Sequence, residues 1–214
     1  MDRTKTIAGL LVCACLYLSA LPGRSIAETS LIEADMLLVL ATDISFSISP
    51  DEQDIQRRGY VAAFRNPEVI RAITSGFRGR IAVTYLEWAG EESQAQVVPW
   101  TLIYDHASAA AFADALARVA INRKGRTSLS QALSATLELF RQSPFVAERH
   151  VVDISSDGFN NNGPRIDRLR DTLVYHGVTI NGLPLMAGKD SGPDAFLADY
   201  FEDCVIGGLG AFMM

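Results

Sequence analysis

Apolar and polar positions follow two rhythms along this chain. Met36-Leu37-Leu38-Val39-Leu40 is a continuous apolar run, the pattern of a strand buried on both faces of a parallel sheet. Comparable runs at 80–88, 151–158 and 178–185 predict further strands, and 94–103 adds one with Pro99 in its middle. Proline donates nothing to a sheet ladder, so 94–103 belongs at an edge, and the short turn before it predicts an antiparallel hairpin with 80–88. An apolar segment over 210–214 predicts a sixth strand.

Between the strands the spacing becomes helical. Ser49-Pro50-Asp51-Glu52 opens the first helix, with Ser49 as cap, Pro50 at the first helical position and Glu52 closing a capping box. That helix carries Ile55, Tyr60, Val61 and Phe64 as its apolar residues and ends near Asn66-Pro67, with a short helix following. Helices are also expected over 107–120, 128–140, 165–176 and 194–203. Strand and helix alternate almost throughout, which predicts an α/β fold. The expected architecture is doubly wound and Rossmann-like: a mostly parallel six-stranded sheet, one antiparallel edge strand, helices on both faces.

No repeat or linker divides the 214 residues, so one domain is expected over 28–214, preceded by a secretory signal over 1–27. Arg3 and Lys5 precede an apolar stretch from Ile7 to Leu21, and Ser25-Ile26-Ala27 fits a small-x-small cleavage site. That stretch is too short for a comfortable membrane span. Val12-Cys13-Ala14-Cys15 loosely resembles a lipoprotein processing box, but the apolar run continues past Cys15, so lipid anchoring is the lesser expectation. Localisation is therefore expected to be periplasmic or secreted.

The net charge is −6; the first 27 residues hold Arg3, Lys5, Arg24 and Asp2, so without them it is −8. An acidic domain argues against nucleic acid or an anionic membrane as the main partner. Cleavage would also remove two of the three cysteines, leaving Cys204 with no intrachain disulfide to form.

Candidate chemistry gathers where the first strand ends, at Asp43-Ile44-Ser45-Phe46-Ser47. A carboxylate and two hydroxyls are hard oxygen donors, suited to Mg²⁺, Mn²⁺ or Ca²⁺. Alone, this D-x-S-x-S reads equally as helix-capping chemistry. Two further loops change the balance: Thr127 before the 128–140 helix, and Asp157-Gly158 after the 151–158 run. In a parallel sheet the carboxyl ends of strands lie on one edge, so these distant positions can converge.

With those five positions filled in order, the chain resembles the von Willebrand factor type A (integrin I-like) family and its metal-ion-dependent adhesion site. The export signal, with Val152-Asp153-Ile154-Ser155-Ser156-Asp157-Gly158 and Asn160-Asn161-Asn162, is more narrowly similar to an exported bacterial group of type A proteins of uncharacterised function. The resemblance implies a divalent cation, Mg²⁺ first, with Ser45 and Ser47 as direct ligands. It implies Thr127 as a direct ligand in one state and a water-bridged one in another, and Asp43 and Asp157 acting mainly through water. It also implies a protein partner offering an acidic side chain. Members of this family usually close with a helix after the last strand, and none is expected here.

Three functions stay open on the sequence: a metal-dependent protein-binding module, a metal-dependent hydrolase using Ser45 or a bound water, and a structural domain whose metal only rigidifies its loops. No base or nucleophile arrangement is evident, so no enzyme activity is expected. Asp153 shares strand parity with Ser155 and Asp157 and is a candidate for supporting the metal loops from behind, against an ordinary structural hydrogen bond. Arg123, Lys124 and Arg126 surround Thr127, as an attractor of acidic partners or as a solvated loop. Asn160 to Gly163 reads as turn chemistry, and Glu87 as a solvated strand end or part of a binding rim.

Overall fold

The computed structural model describes residues 31–186 and 193–214. The expected signal segment and the junction at 27 and 28 lie outside the described residues. A short strand β1 (Ile32–Glu33) precedes β2 (Met36–Asp43), followed by α1 (Pro50–Ala63), α2 (Pro67–Thr74), β3 (Ile81–Trp88), β4 (Gln94–Ile103) and α3 (His106–Ala117). Then come α4 (Leu129–Arg141), β5 (Phe145–Val146), β6 (Arg149–Ser156), α5 (Ile166–Tyr175) and β7 (Val178–Pro184). A tight turn at Pro193–Phe196 leads into α6 (Leu197–Tyr200), which continues as one wide turn over Phe201–Val205.

The main sheet has the order β4-β3-β2-β6-β7, with β3 and β4 antiparallel and every other pairing parallel. The expected fold class is thus the observed one. Its strand count differs, because the main sheet has five strands among the described residues, and the expectation of no helix after the last strand does not hold, because α6 and the wide turn that continues it follow β7. Residues 210–214 form only a bridge between Met213 and Gly182, with Gly182 donating to the Phe212 carbonyl and Met214 to that of Gly182. These two backbone bonds, with Phe212 N donating to Asn181 Oδ1 at 3.2 Å, hold the segment against the edge strand without building a ladder. The pairing of β1 with β5 has no signature in the sequence, because two residues per strand carry no readable period.

Alternation along β2 assigns its side chains to two cores. Val39 and Ala41 pack with Leu129 and Leu133 of α4, Leu173 of α5, and Leu197, Phe201 and Val205. Leu38 and Leu40 pack on the other face with Phe64, Ile70, Phe112 and Leu116 beneath α1, α2 and α3. Pro99 lies in edge strand β4, where the register against β3 shifts beside Thr84, and the Thr84 hydroxyl donates to the Val98 carbonyl at 2.7 Å.

Helix α1 differs from expectation. Its capping box forms, Ser49 N donating to Glu52 Oε2 at 2.8 Å and Glu52 N to Ser49 Oγ at 3.2 Å. Yet its buried residues are Gln53 and Arg57, while Ile55 is 61% exposed. Arg57 Nη2 donates to Glu87 Oε1 at 2.6 Å, and Nη1 donates to the Val119 carbonyl. Tyr60, Val61 and Phe64 pack against the core as expected, and the ion pair adds Arg57 to that face, so Glu87 is neither a solvated strand end nor a rim residue.

Candidate metal centre

From β2 the chain winds outward to β3 and β4, and later places β6 and β7 on the other side of β2. The crevice at the carboxyl ends of β2 and β6 is therefore the topological switch point, where open α/β sheets bind ligands. Backbone hydrogen bonds stitch the loops there together. Ile44 N donates to Trp88 O at 2.8 Å, Lys124 N to Ile44 O at 2.9 Å, Ser128 N to Ala89 O at 2.8 Å and Asn161 N to Thr127 O at 3.0 Å.

The side chains follow. Asp43 is fully buried; its Oδ1 accepts from Ser45 N at 2.7 Å and its Oδ2 from Ser156 Oγ at 2.5 Å. The hydroxyls of Ser45 and Ser47 lie 2.9 Å apart, and Ser47 Oγ donates to Asp157 Oδ1 at 2.6 Å. Thr127 is buried alongside, its Oγ1 3.9 Å from where a Cβ on Gly158 would sit. All five positions singled out in the sequence meet in one crevice. Four are buried and Ser47 is exposed, so the chain of polar groups runs from the interior to solvent.

Burial pushes the Asp43 carboxyl up to about 7; hydrogen bonds from Ser156 and Ser45 oppose the rise and the nearby Asp157 charge adds to it. No Lys or Arg forms an ion pair with Asp43 among the described residues. A buried carboxylate without a cationic partner must take a proton or a cation. The surrounding donors fit the second choice, since they are hydroxyl and carboxylate oxygens suited to a hard divalent ion. No group of three or more His, Cys, Asp or Glu side chains gathers for a metal among the described residues. The donor set thus holds two acids and three hydroxyls, a composition that leaves a cation much of its charge.

The matching family profile is described as "Protein of unknown function (DUF1194)" and covers residues 33–214. The chain belongs to the DUF1194 family. A search of curated proteins returned no match. Among solved structures, this DUF1194 protein is similar to proximal thread matrix protein 1 from the mussel byssus, described with a zinc-occupied MIDAS motif. That match has TM-score 0.54 and 17% identity over 84% of this chain and 41% of the mussel chain. The pilus adhesin SpaC from Lactobacillus rhamnosus GG gives TM-score 0.59 and 11% identity over 84% of this chain and 28% of the adhesin. A von Willebrand factor type A protein from Catenulispora acidiphila gives 0.51 and 16% over 79% and 42%. The DUF1194 chain thus spans less than half of each of these three chains, and what it shares with them is the von Willebrand factor type A fold.

Asp153 does not join the crevice. Its Oδ1 accepts from Asn181 Nδ2 at 2.8 Å, the structural alternative, and burial raises its carboxyl above the usual range. The serine that reaches Asp43 is Ser156, one position off that parity. The three asparagines are also more than turn residues, because no non-glycine among the described residues has positive φ. Asn160 Oδ1 accepts from Ser130 N at 3.1 Å, Asn161 Oδ1 from Thr127 N at 3.1 Å and Asn162 Oδ1 from Glu91 N at 2.8 Å. Three consecutive amides thus moor the Asp157 loop to the Thr127 loop and to the β3–β4 turn. Consecutive side-chain amides directly after an Asp-Gly turn were the available signal.

Proposed function

We propose that this protein is an exported, divalent-cation-dependent protein-binding module that takes an acidic side chain of a partner at the crevice of Asp43, Ser45, Ser47, Thr127 and Asp157. One observation carries the reading: a buried Asp43 with no cationic partner among the described residues, continued through Ser45 to an exposed Ser47 hydrogen-bonded to Asp157. Ser45, Ser47 and Thr127 would hold the ion through their hydroxyls, and Asp43 and Asp157 would act mainly through water. Such an ion supplies a positive charge that neutral hydroxyls do not quench, and a carboxylate from outside can complete its shell. Mg²⁺ is the proposed occupant, with Mn²⁺ and Ca²⁺ as substitutes of the same chemistry. The zinc-occupied motif of the mussel protein and the adhesin role of SpaC are consistent with this reading.

The basic, apolar and small-residue pattern of 1–27 supports export, and no described helix is long and apolar enough to cross a membrane. The proposal assigns binding without turnover. Ester or phosphate hydrolysis that vanishes in a Ser45→Ala variant would contradict it. The binding test uses a terminally blocked peptide containing one aspartate, titrated with Mg²⁺ or with EDTA and followed by NMR shifts. Shifts at 43–47 and 157–158 that require Mg²⁺ and disappear in Asp43→Ala are expected. Equal binding in EDTA would contradict the reading.

A further inference from the structure

The loop over 122–126 carries Arg123, Lys124 and Arg126 in a chain whose net charge is −6. Backbone contacts hold it beside the D-x-S-x-S turn: Ser45 bridges Lys124 in parallel, Lys124 N donates to Ile44 O at 2.9 Å, and Phe46 N donates to Gly125 O at 3.3 Å. The backbone of the basic loop is therefore held against the turn that carries Ser45 and Ser47, directly before Thr127.

Phe46 stands between the two serines and is 61% exposed, an unusual place for a large apolar ring. Its ring faces the Arg123 guanidinium, with Cζ 5.7 Å from the centroid, and Arg123 Nη2 donates to the Phe46 carbonyl. The cation is thereby oriented from two directions, by ring face and by carbonyl. Its other N–H donors meet no protein partner among the described residues, and neither Arg123, Lys124 nor Arg126 is in an ion pair there. An oriented arginine without a carboxylate, beside a crevice that holds two, is matched to a negative group from outside.

We propose that Phe46 and Arg123 form a second anchor beside the metal centre, which selects partner segments carrying two adjacent acidic residues. One carboxylate goes to the cation and the next to the Arg123 fork, with Lys124 and Arg126 adding attraction at longer range. The inference rests on the metal-dependent reading above and adds what that reading lacks, the composition of the partner segment.

The test compares two terminally blocked peptides, one with a single aspartate and one with two adjacent aspartates, by calorimetric titration in Mn²⁺. The protein is the wild type, Arg123→Ala or Phe46→Ala, each first shown to bind Mn²⁺ as the wild type does. The two-aspartate peptide is expected to bind the wild type roughly tenfold more tightly, the equivalent of one charge-assisted hydrogen bond. Arg123→Ala should bring the two-aspartate peptide down to the affinity of the single-aspartate peptide, removing that preference, and Phe46→Ala should reduce it. Metal-dependent binding with the same preference in Arg123→Ala would overturn the second anchor and leave the metal reading standing. Binding of both peptides that persists in EDTA would overturn both. Inorganic phosphate displacing the two-aspartate peptide at equal concentration would show a general anion site and overturn the selectivity for acidic peptide.

Discussion

Asp43 is the residue on which the electrostatics of the crevice turn. Its carboxyl rises from 3.8 to about 7 because burial strips its water, and Ser156 and Ser45 recover only part of that loss. In the folded state it keeps a proton that the unfolded chain has already released, so its contribution to stability declines as pH rises from about 4 to about 7 and then levels off. The full cost is on the order of 4 kcal/mol. In EDTA, thermal unfolding should show this decline, and Asp43→Asn should flatten it. Mn²⁺ competes with the proton, so the rise in Tm it gives should be larger at pH 8 than at pH 5. Ser156→Ala removes the donor at 2.5 Å from Asp43 Oδ2. It should cost about 1–3 kcal/mol in urea unfolding and weaken Mn²⁺ binding. Unchanged Mn²⁺ affinity in that variant would show that Ser156 supports the fold alone.

Among the elements, α1 and the loop after β6 carry most of the positioning. The α1 face against the sheet carries Arg57 beside Tyr60, Val61 and Phe64, and Arg57 pairs there with Glu87, both nearly fully buried. Arg57→Met should destabilise by about 3–5 kcal/mol because it strands a buried carboxylate, and adding Glu87→Gln should recover much of that loss in a double-mutant cycle. The loop after β6 ends at Gly163, which has φ +85° and would place a Cβ 2.9 Å from Ser128 Oγ. Gly163→Ala should cost about 1–3 kcal/mol and loosen the Thr127 loop, seen as faster amide exchange at 127–130. The apolar run of β2, the capping box of α1 and the D-x-S-x-S turn are legible in the sequence because neighbouring residues encode them, whereas Thr127 and Asp157, the latter 110 positions from Ser47, are legible only through the ordered five-position pattern of the family the chain resembles. The burial of Arg57 on the core face of α1 is not legible, since it depends on a partner 30 positions away. Nor is the mooring by Asn160, Asn161 and Asn162, whose partners lie 30, 34 and 71 positions away. Parity pointed to Asp153 because it assumes an extended strand up to Asp157, whereas β6 ends at Ser156 and the turn beyond it resets the alternation.

At the scale of the whole molecule, a switch point at the carboxyl ends of β2 and β6 brings residues 43–47, 127 and 157 into one crevice, with a basic rim on an otherwise acidic protein. If residues 1–27 are removed on export, N-terminal sequencing of the exported form should begin at Glu28, and an N-terminus at Cys15 would indicate lipid anchoring instead. The central claim is one hard cation with room for a guest carboxylate, and water proton relaxation during a Mn²⁺ titration reads both parts at once. The account predicts one Mn²⁺ per chain, a relaxation enhancement from water on the bound ion, a fall in that enhancement when an aspartate peptide is added, and loss of the site in Asp43→Ala. Mn²⁺ binding that is absent, or that survives Asp43→Ala unchanged, would contradict it.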